Sequence, residues 1–168
     1  MMGREYQLER QQMIPRPRNV VFAFFAEAAN LEILTPEFLR FQILTPLPIV
    51  MQPGTLIDYT LQLCHIPFHW RTRIETFEPP LRFTDVQLSG PYQRWHHLHE
   101  FYEAPGGTLV LDRVTYALPY GILGTLAYFG FVRRTLNRIF DYRQQRLTAL
   151  FPPDKETPLA SVNRPPEL

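Results

Sequence analysis

Residues 120–150 read YGILGTLAYFGFVRRTLNRIFDYRQQRLTAL, and the spacing of their apolar side chains predicts one long amphipathic helix. Ile122, Leu126, Phe129, Leu136, Phe140, Leu147 and Leu150 recur at three- and four-residue steps, and Val132 and Ile139 widen the stripe. Arg133, Arg134, Arg138, Arg143 and Arg146 fall mostly off it and read as a solvated face, from which some can guard a chamber mouth and attract an anionic head group. At about 1.5 Å per residue such a helix runs roughly 45 Å and needs a broad apolar surface to lie on. The preceding chain supplies strands, so the expected surface is a sheet. How fully helix and sheet close on each other decides between a solid core and a ligand chamber, and a chamber is expected. Gly121, Gly124 and Gly130 each weaken the helix by about 1 kcal/mol relative to alanine. Pro119 to Gly130 is therefore expected to be its movable end, with a portal there and beside Leu34 to Phe41.

Working outward, Tyr6 to Ile14 alternates loosely as a first strand, closed by Pro15 and Pro17. Val20, Val21, Phe24, Phe25 and Ala28 mark a short amphipathic helix, and Leu31, Ile33 and Leu34 a further helical turn that ends at Thr35-Pro36. Phe38 to Pro48 reads as a short strand with an irregular edge. From Gly54 on, apolar and polar residues alternate in strands separated at Ile66-Pro67, Glu78-Pro79-Pro80, Ser89-Gly90-Pro91 and Ala104-Pro105-Gly106-Gly107. Such short connections imply antiparallel pairing, because parallel neighbours need long crossovers. The predicted class is α+β: a curved antiparallel sheet of about six to seven strands, two short helices after the first strand, and a long C-terminal helix.

Bulk properties narrow the functional classes. A chain of 168 residues with 45% hydrophobic and 14% aromatic content suits one domain over residues 1–151, and the proline-rich, aperiodic residues 152–168 read as a flexible tail. Lys and Arg number 17 against 16 Asp and Glu, a formal charge of +1, so no nucleic-acid partner is expected. The single cysteine, Cys64, can form no internal disulfide, and Met1 to Arg10 lacks the apolar core of a signal peptide; both fit a cytoplasmic protein. Leu118 to Val132 is interrupted by Pro119 and three glycines and stops short of the roughly 20 residues a membrane span requires, though it can touch a membrane surface transiently. No GxGxxG or GxxxxGK[ST] motif supports a nucleotide, and no cofactor is expected.

The bulkier, less charged strand faces carry Trp70, Phe83, Trp95, Phe101, Val110 and Val114, so burial should turn them toward the helix. The same faces also carry Tyr59, Thr72, Asp85, Gln87, His97, His99, Asp112 and Tyr116. Left unpaired and dry, each such group would cost about 1–3 kcal/mol, so they must pair with one another, with water or with a ligand. His97 and His99 share a face and can reach one ion with Asp85 or Asp112 as third ligand. His96 points the other way, however, and no helical HxxxH or cysteine pair completes a set, so no metal is expected. A His beside a carboxylate can also act as a general base, which makes His97, His99, Asp85 and Asp112 the catalytic candidates.

The element order from Tyr6 to Leu150 resembles the START-like, or SRPBCC, helix-grip superfamily, which includes the birch-pollen allergen, steroidogenic lipid-transfer domains and polyketide cyclases. Local phrasing is similar to its bacterial ligand-binding or cyclase/dehydrase-like branch: Leu34-Thr35-Pro36 with Phe38-Leu39-Arg40-Phe41, Gly54 with Ile57-Asp58-Tyr59, Ile66-Pro67 with Trp70, Gly90-Pro91-Tyr92 with Trp95-His96-His97, Asp112 to Pro119, and Ile139-Phe140-Asp141-Tyr142-Arg143. The resemblance implies a sheet gripping the C-terminal helix around a cavity for an apolar or amphipathic small molecule, and no particular reaction.

The expected function is binding or transport of such a molecule, for instance a lipid, quinone, isoprenoid or polyketide-like compound. Its expected pocket is lined by Tyr59, Trp70, Thr72, Phe83, Asp85, Gln87 and Trp95, with His97, His99, Phe101, Asp112, Tyr116, Phe129 and Phe140. One alternative is a cyclase or dehydratase using His97 or His99 with an Asp partner. Another is a filled-core module dimerising through Phe38 to Val50, which a connected cavity below about 300 Å³ would favour. Ligand identity and oligomeric state are not encoded legibly in the sequence.

Overall fold

Seven strands form one antiparallel sheet in the order β1-β7-β6-β5-β4-β3-β2 in a computed structural model that describes residues 4–63, 65–119 and 131–153. The strands are β1 (Glu5–Ile14), β2 (Gln42–Ile43), β3 (Leu56–Leu63), β4 (Ile66–Glu78), β5 (Arg82–Ser89), β6 (Arg94–Ala104) and β7 (Gly107–Ala117). Between β1 and β2 lie α1 (Arg18–Ala26), α2 (Asn30–Leu34) and a 3₁₀ turn (Glu37–Leu39), and the chain ends in α3 (Arg133–Leu150). From β3 onward each strand pairs with its successor, as the short turns require. The exception is β1, which crosses to pair along its whole length with β7.

Gly107 makes the β6–β7 hairpin possible. A Cβ built there would lie 2.1 Å from the Ile14 carbonyl oxygen, and its φ of +152° lies in the region glycine tolerates best. Glycine thus lets the end of β1 lie against the hairpin.

The period-two alternation on the strands has a simple physical outcome. In β4, Trp70, Thr72 and Ile74 are buried while Arg71, Arg73 and Glu75 are exposed. One sheet face therefore collects the apolar side chains, and the helices cover it. The side chains of α3 meet this face at two places. Leu147 joins Ile14, Phe22, Phe25, Phe83, Phe101 and Val110, and Leu136 and Phe140 join Tyr6, Leu8, Val114 and Tyr116. A third cluster of Ala28, Ile57 and Ile74 sits toward the far side of the sheet. Polar contacts fasten α3 to edge strand β1: Gln12 Nε2 donates to the Gln144 carbonyl at 3.0 Å, and Gln144 Nε2 donates to the Gln11 carbonyl at 3.0 Å. These bonds cover part of an edge that would otherwise invite another strand.

The expected class and element order are thus present: a curved seven-stranded antiparallel sheet, two short helices after the first strand, and a C-terminal helix packed on one face. The described helix runs from Arg133 to Leu150; its expected first part, with Phe129 and the three glycines, lies outside the described residues, as do residues 154–168 of the expected tail. The only strand within Phe38 to Val50 is the two-residue β2, and Phe38, Leu44, Leu47 and Val50 are left exposed. Among the described residues, no helix is long and apolar enough to cross a membrane.

Candidate functional site

Three adjacent strands in the middle of the sheet hold four ionisable side chains against one another. Asp85 on β5 stands directly opposite His97 on β6, and His99, two residues further along β6, stands opposite Asp112 on β7. Residues directly opposite share a face, and so do residues two apart on one strand, so all four project to the covered side. Their rings and carboxylates form a closed quartet. His99 Nδ1 lies 2.6 Å from Asp112 Oδ1, and His99 Nε2 lies 3.3 Å from Asp85 Oδ2. His97 spans the same two carboxylates more loosely, with Nε2 3.4 Å from Asp112 Oδ1 and Nδ1 3.6 Å from Asp85 Oδ2. The imidazole centroids are 3.8 Å apart, and Phe83 stacks on His99 at 4.3 Å.

Burial and pairing drive these groups in different directions. Burial opposes charge on Asp112, but His99 and His97 outweigh it and hold the carboxyl well below the usual carboxylate range. Asp85 is also held low: its hydrogen bond with His99 and the charges of His97, His99 and Arg143 together outweigh burial. For His99, burial disfavours the cation, and the flanking carboxylates Asp112 and Asp85 raise it regardless. His97 goes the other way, because burial and the neighbouring His99 push it down. Both carboxylates are thus held in their ionised form, and the cation is favoured on His99 and disfavoured on His97. The Nε2 of His97 is buried without a directed hydrogen bond.

Beside the quartet lies a chamber with a volume of about 180 Å³ between the sheet, α1, α2 and α3. Its wall is mostly apolar and aromatic. Tyr59, Trp70, Thr72, Phe83, Asp85, Trp95, His97, His99 and Phe140 all face it. Among these, Thr72 is already satisfied: its hydroxyl accepts from Trp70 Nε1 at 3.0 Å and pairs with the Tyr59 hydroxyl at 3.3 Å. Burial, reinforced by Asp85, pushes the Tyr59 phenol far above its ordinary value and keeps it neutral. Polar groups that face the chamber near the quartet include Asp85, His97 and Arg143.

Four residues expected in the pocket stand elsewhere, and Phe129 lies outside the described residues. The Gln87 side chain holds the β5–β6 turn instead, donating to the Tyr92 carbonyl at 2.7 Å and accepting from the Tyr92 N–H. Phe101 is sealed among Phe22 and Phe25, each at 5.2 Å, and Tyr116 packs against Tyr6, Tyr92 and Trp95. Asp112 lies behind the histidines, away from the chamber wall, and acts through them. All four share the inward face but sit where other side chains fill the space, a distinction that alternation alone does not carry.

Conversely, Arg143, expected on a solvated face from which some arginines can guard the chamber mouth, lines the chamber itself. Its Nε is buried without a partner, and its guanidinium lies 5.1 Å over the Phe140 ring. The signal was present in the sequence, since Arg143 falls three residues after Phe140 and seven after Leu136, on the apolar stripe itself.

At about 180 Å³ the chamber is smaller than the 300 Å³ mark below which a filled-core module would be favoured. Volume alone thus speaks for that module. The wall speaks against it, because a self-contained core satisfies its buried polar atoms, whereas here Arg143 Nε is buried at the wall without a hydrogen bond.

No protein-family model matches the chain, and no curated protein matches it. Solved structures do. A protein of Chromobacterium violaceum superposes with a TM-score of 0.69 at 12% identity, over 88% of this chain and 98% of that one. The major latex-like protein 151 of Panax ginseng matches with a TM-score of 0.66 at 11% identity, over 90% of this chain and 100% of that one. A nucleoside-diphosphate sugar epimerase of Corynebacterium glutamicum matches at 26% identity with a TM-score of 0.58, over 84% of this chain but only 28% of the epimerase. The likeness extends over nearly the whole described chain, and with the strand order and the packed C-terminal helix it establishes the helix-grip fold, the architecture shared with the birch-pollen-allergen-like proteins.

Proposed function

We propose that the protein binds a small, largely apolar molecule of about one or two rings, with a polar group that meets Asp85, His97 and Arg143. The supporting observation is the combination of a mostly aromatic chamber of about 180 Å³ with the polar groups of Asp85, His97 and Arg143 at its wall, Arg143 Nε being buried without a hydrogen bond. The volume sets the size class. An engineered apolar cavity of about 150 Å³ holds benzene, so this chamber suits an aromatic or cyclic compound.

The chain's two tryptophans make this testable, because Trp70 and Trp95 both line the chamber, with ring centroids 5.3 Å apart. Titration with 4-nitrophenol, a ring-sized phenol whose absorbance overlaps tryptophan emission, should quench fluorescence saturably with a single-site isotherm. Linear collisional quenching equal to that of free tryptophan amide would contradict the proposal.

A second reading, proton transfer on the bound molecule, draws on the neutral His97 at the chamber wall beside two carboxylates. Replacing both His97 and His99 by glutamine separates the two. A carrier keeps most of its affinity through apolar contacts, whereas an enzyme keeps binding and loses turnover.

A further inference from the structure

The quartet has the layout of a metal centre with its outer support. Asp85 Oδ2 stands 3.3 Å from His99 Nε2 and 3.6 Å from His97 Nδ1, and these three ligand atoms all lie within 4.8 Å of one another. Zinc bonds of about 2.0–2.2 Å arranged tetrahedrally place neighbouring ligand atoms about 3.3–3.5 Å apart. The spacings of Asp85 to the two histidines are therefore those of ligands to one ion, with little movement needed.

The far sides of both rings matter as much. His99 Nδ1 meets Asp112 Oδ1 at 2.6 Å, and His97 Nε2 faces the same oxygen at 3.4 Å. A carboxylate on the distal nitrogen is the usual support of a metal-bound histidine: it fixes the tautomer and the ring plane and raises ligand basicity. Here one buried aspartate serves both rings.

We propose that Asp85, His97 and His99 form a binding site for a divalent transition-metal ion of the zinc class, oriented by Asp112 and open toward the chamber. Two histidines and one carboxylate are a ligand set for such ions, with a remaining position for water or for a polar group of the bound molecule. The sequence offers His97 and His99 with Asp85 or Asp112 as third ligand but no HxxxH or cysteine pair to complete the set; the strand register, which brings Asp85 opposite His97, decides for Asp85. Arg143, the cation facing the cluster from α3, opposes the ion, and the two aspartates offset it. Ligation needs the metal-facing nitrogens of both rings free of protons, so affinity falls as pH falls.

The test uses the purified chain stripped with chelator and titrated with Zn²⁺ or Co²⁺ alone. The expected result is one tightly bound equivalent, with visible absorption typical of four-coordinate Co²⁺ and a zinc-edge X-ray absorption spectrum that contains two imidazoles. Asp85→Asn should weaken binding by about a hundredfold or more, and Asp112→Asn by about 10–100-fold. A control carrying His65→Gln, His69→Gln and His96→Gln, all on exposed or outward-facing positions, should bind as the wild type does. No stoichiometric binding by the wild type overturns the proposal. So does binding that the control loses and Asp85→Asn keeps, or a zinc spectrum with fewer than two imidazoles; this last readout needs no variant to fold. Because no organic ligand is present, failure here leaves the small-molecule proposal standing.

Discussion

Asp112→Ala should lower the free energy of unfolding by about 3–5 kcal/mol in urea titrations near pH 7, the usual cost of removing one partner from a buried ion pair. Asp112 is only 6% exposed, and its carboxylate lies within 2.6 Å of His99 and 3.4 Å of His97. Without it His99 loses a partner that stabilises its cation, and His97 loses the carboxylate that faces its Nε2. Asp112→Asn keeps an acceptor of nearly the same shape and should cost less, about 1–3 kcal/mol. A chain of this length shifts its melting temperature by about 2–4 °C per kcal/mol, so the alanine variant should melt roughly 10 °C lower. Equal costs for the two variants would show that shape, rather than charge, is what Asp112 supplies.

The pH dependence of stability should turn near pH 6.5, because the two chamber histidines pull in opposite directions. His99 has a raised value in the folded chain, so its contribution is full below its unfolded value of about 6.5 and is lost as pH rises through the folded value. His97 is depressed, so its contribution is present above about 6.5 and is lost as pH falls through its folded value. Asp112 and Asp85 are depressed too, and their contributions vanish only further into acid, as pH drops from about 3.9 through their folded values. Each differentially bound proton gives a slope of up to about 1.4 kcal/mol per pH unit. Urea denaturation across pH should therefore show a maximum near 6.5. His99→Gln should flatten the alkaline limb and His97→Gln the first part of the acid limb. A profile in which neither variant changes its own limb would contradict the protonation states assigned here.

What the sequence disclosed, and what it withheld, follows from the range of each interaction. Alternation and helical periodicity are local, so they identified the inward strand faces, the helix face of Leu136, Phe140 and Leu147, and the element order. Register is not local. The alternation put Asp85, His97, His99 and Asp112 on one face but left open which carboxylate holds His99; pairing across β5, β6 and β7 shows that both do. Nor does alternation distinguish a residue lining a void from one packed behind it, and for that reason Phe101 and Tyr116 joined the expected pocket while Phe24, Leu34 and Ile139 were left out of it. Arg143 shows a different limit: charge favours exposure, yet its position on the stripe places its stem along the chamber and its guanidinium over Phe140.

Xenon tests the hollow interior without presupposing any ligand, because xenon enters cavities lined by apolar groups and ignores filled cores. In crystals pressurised with xenon, the expected result is an electron-density peak among Trp70, Phe83 and Phe140, inside the chamber beside His97. Density for xenon at surface sites alone, with none between the sheet and the C-terminal helix, would contradict the chamber and the small-molecule binding built on it.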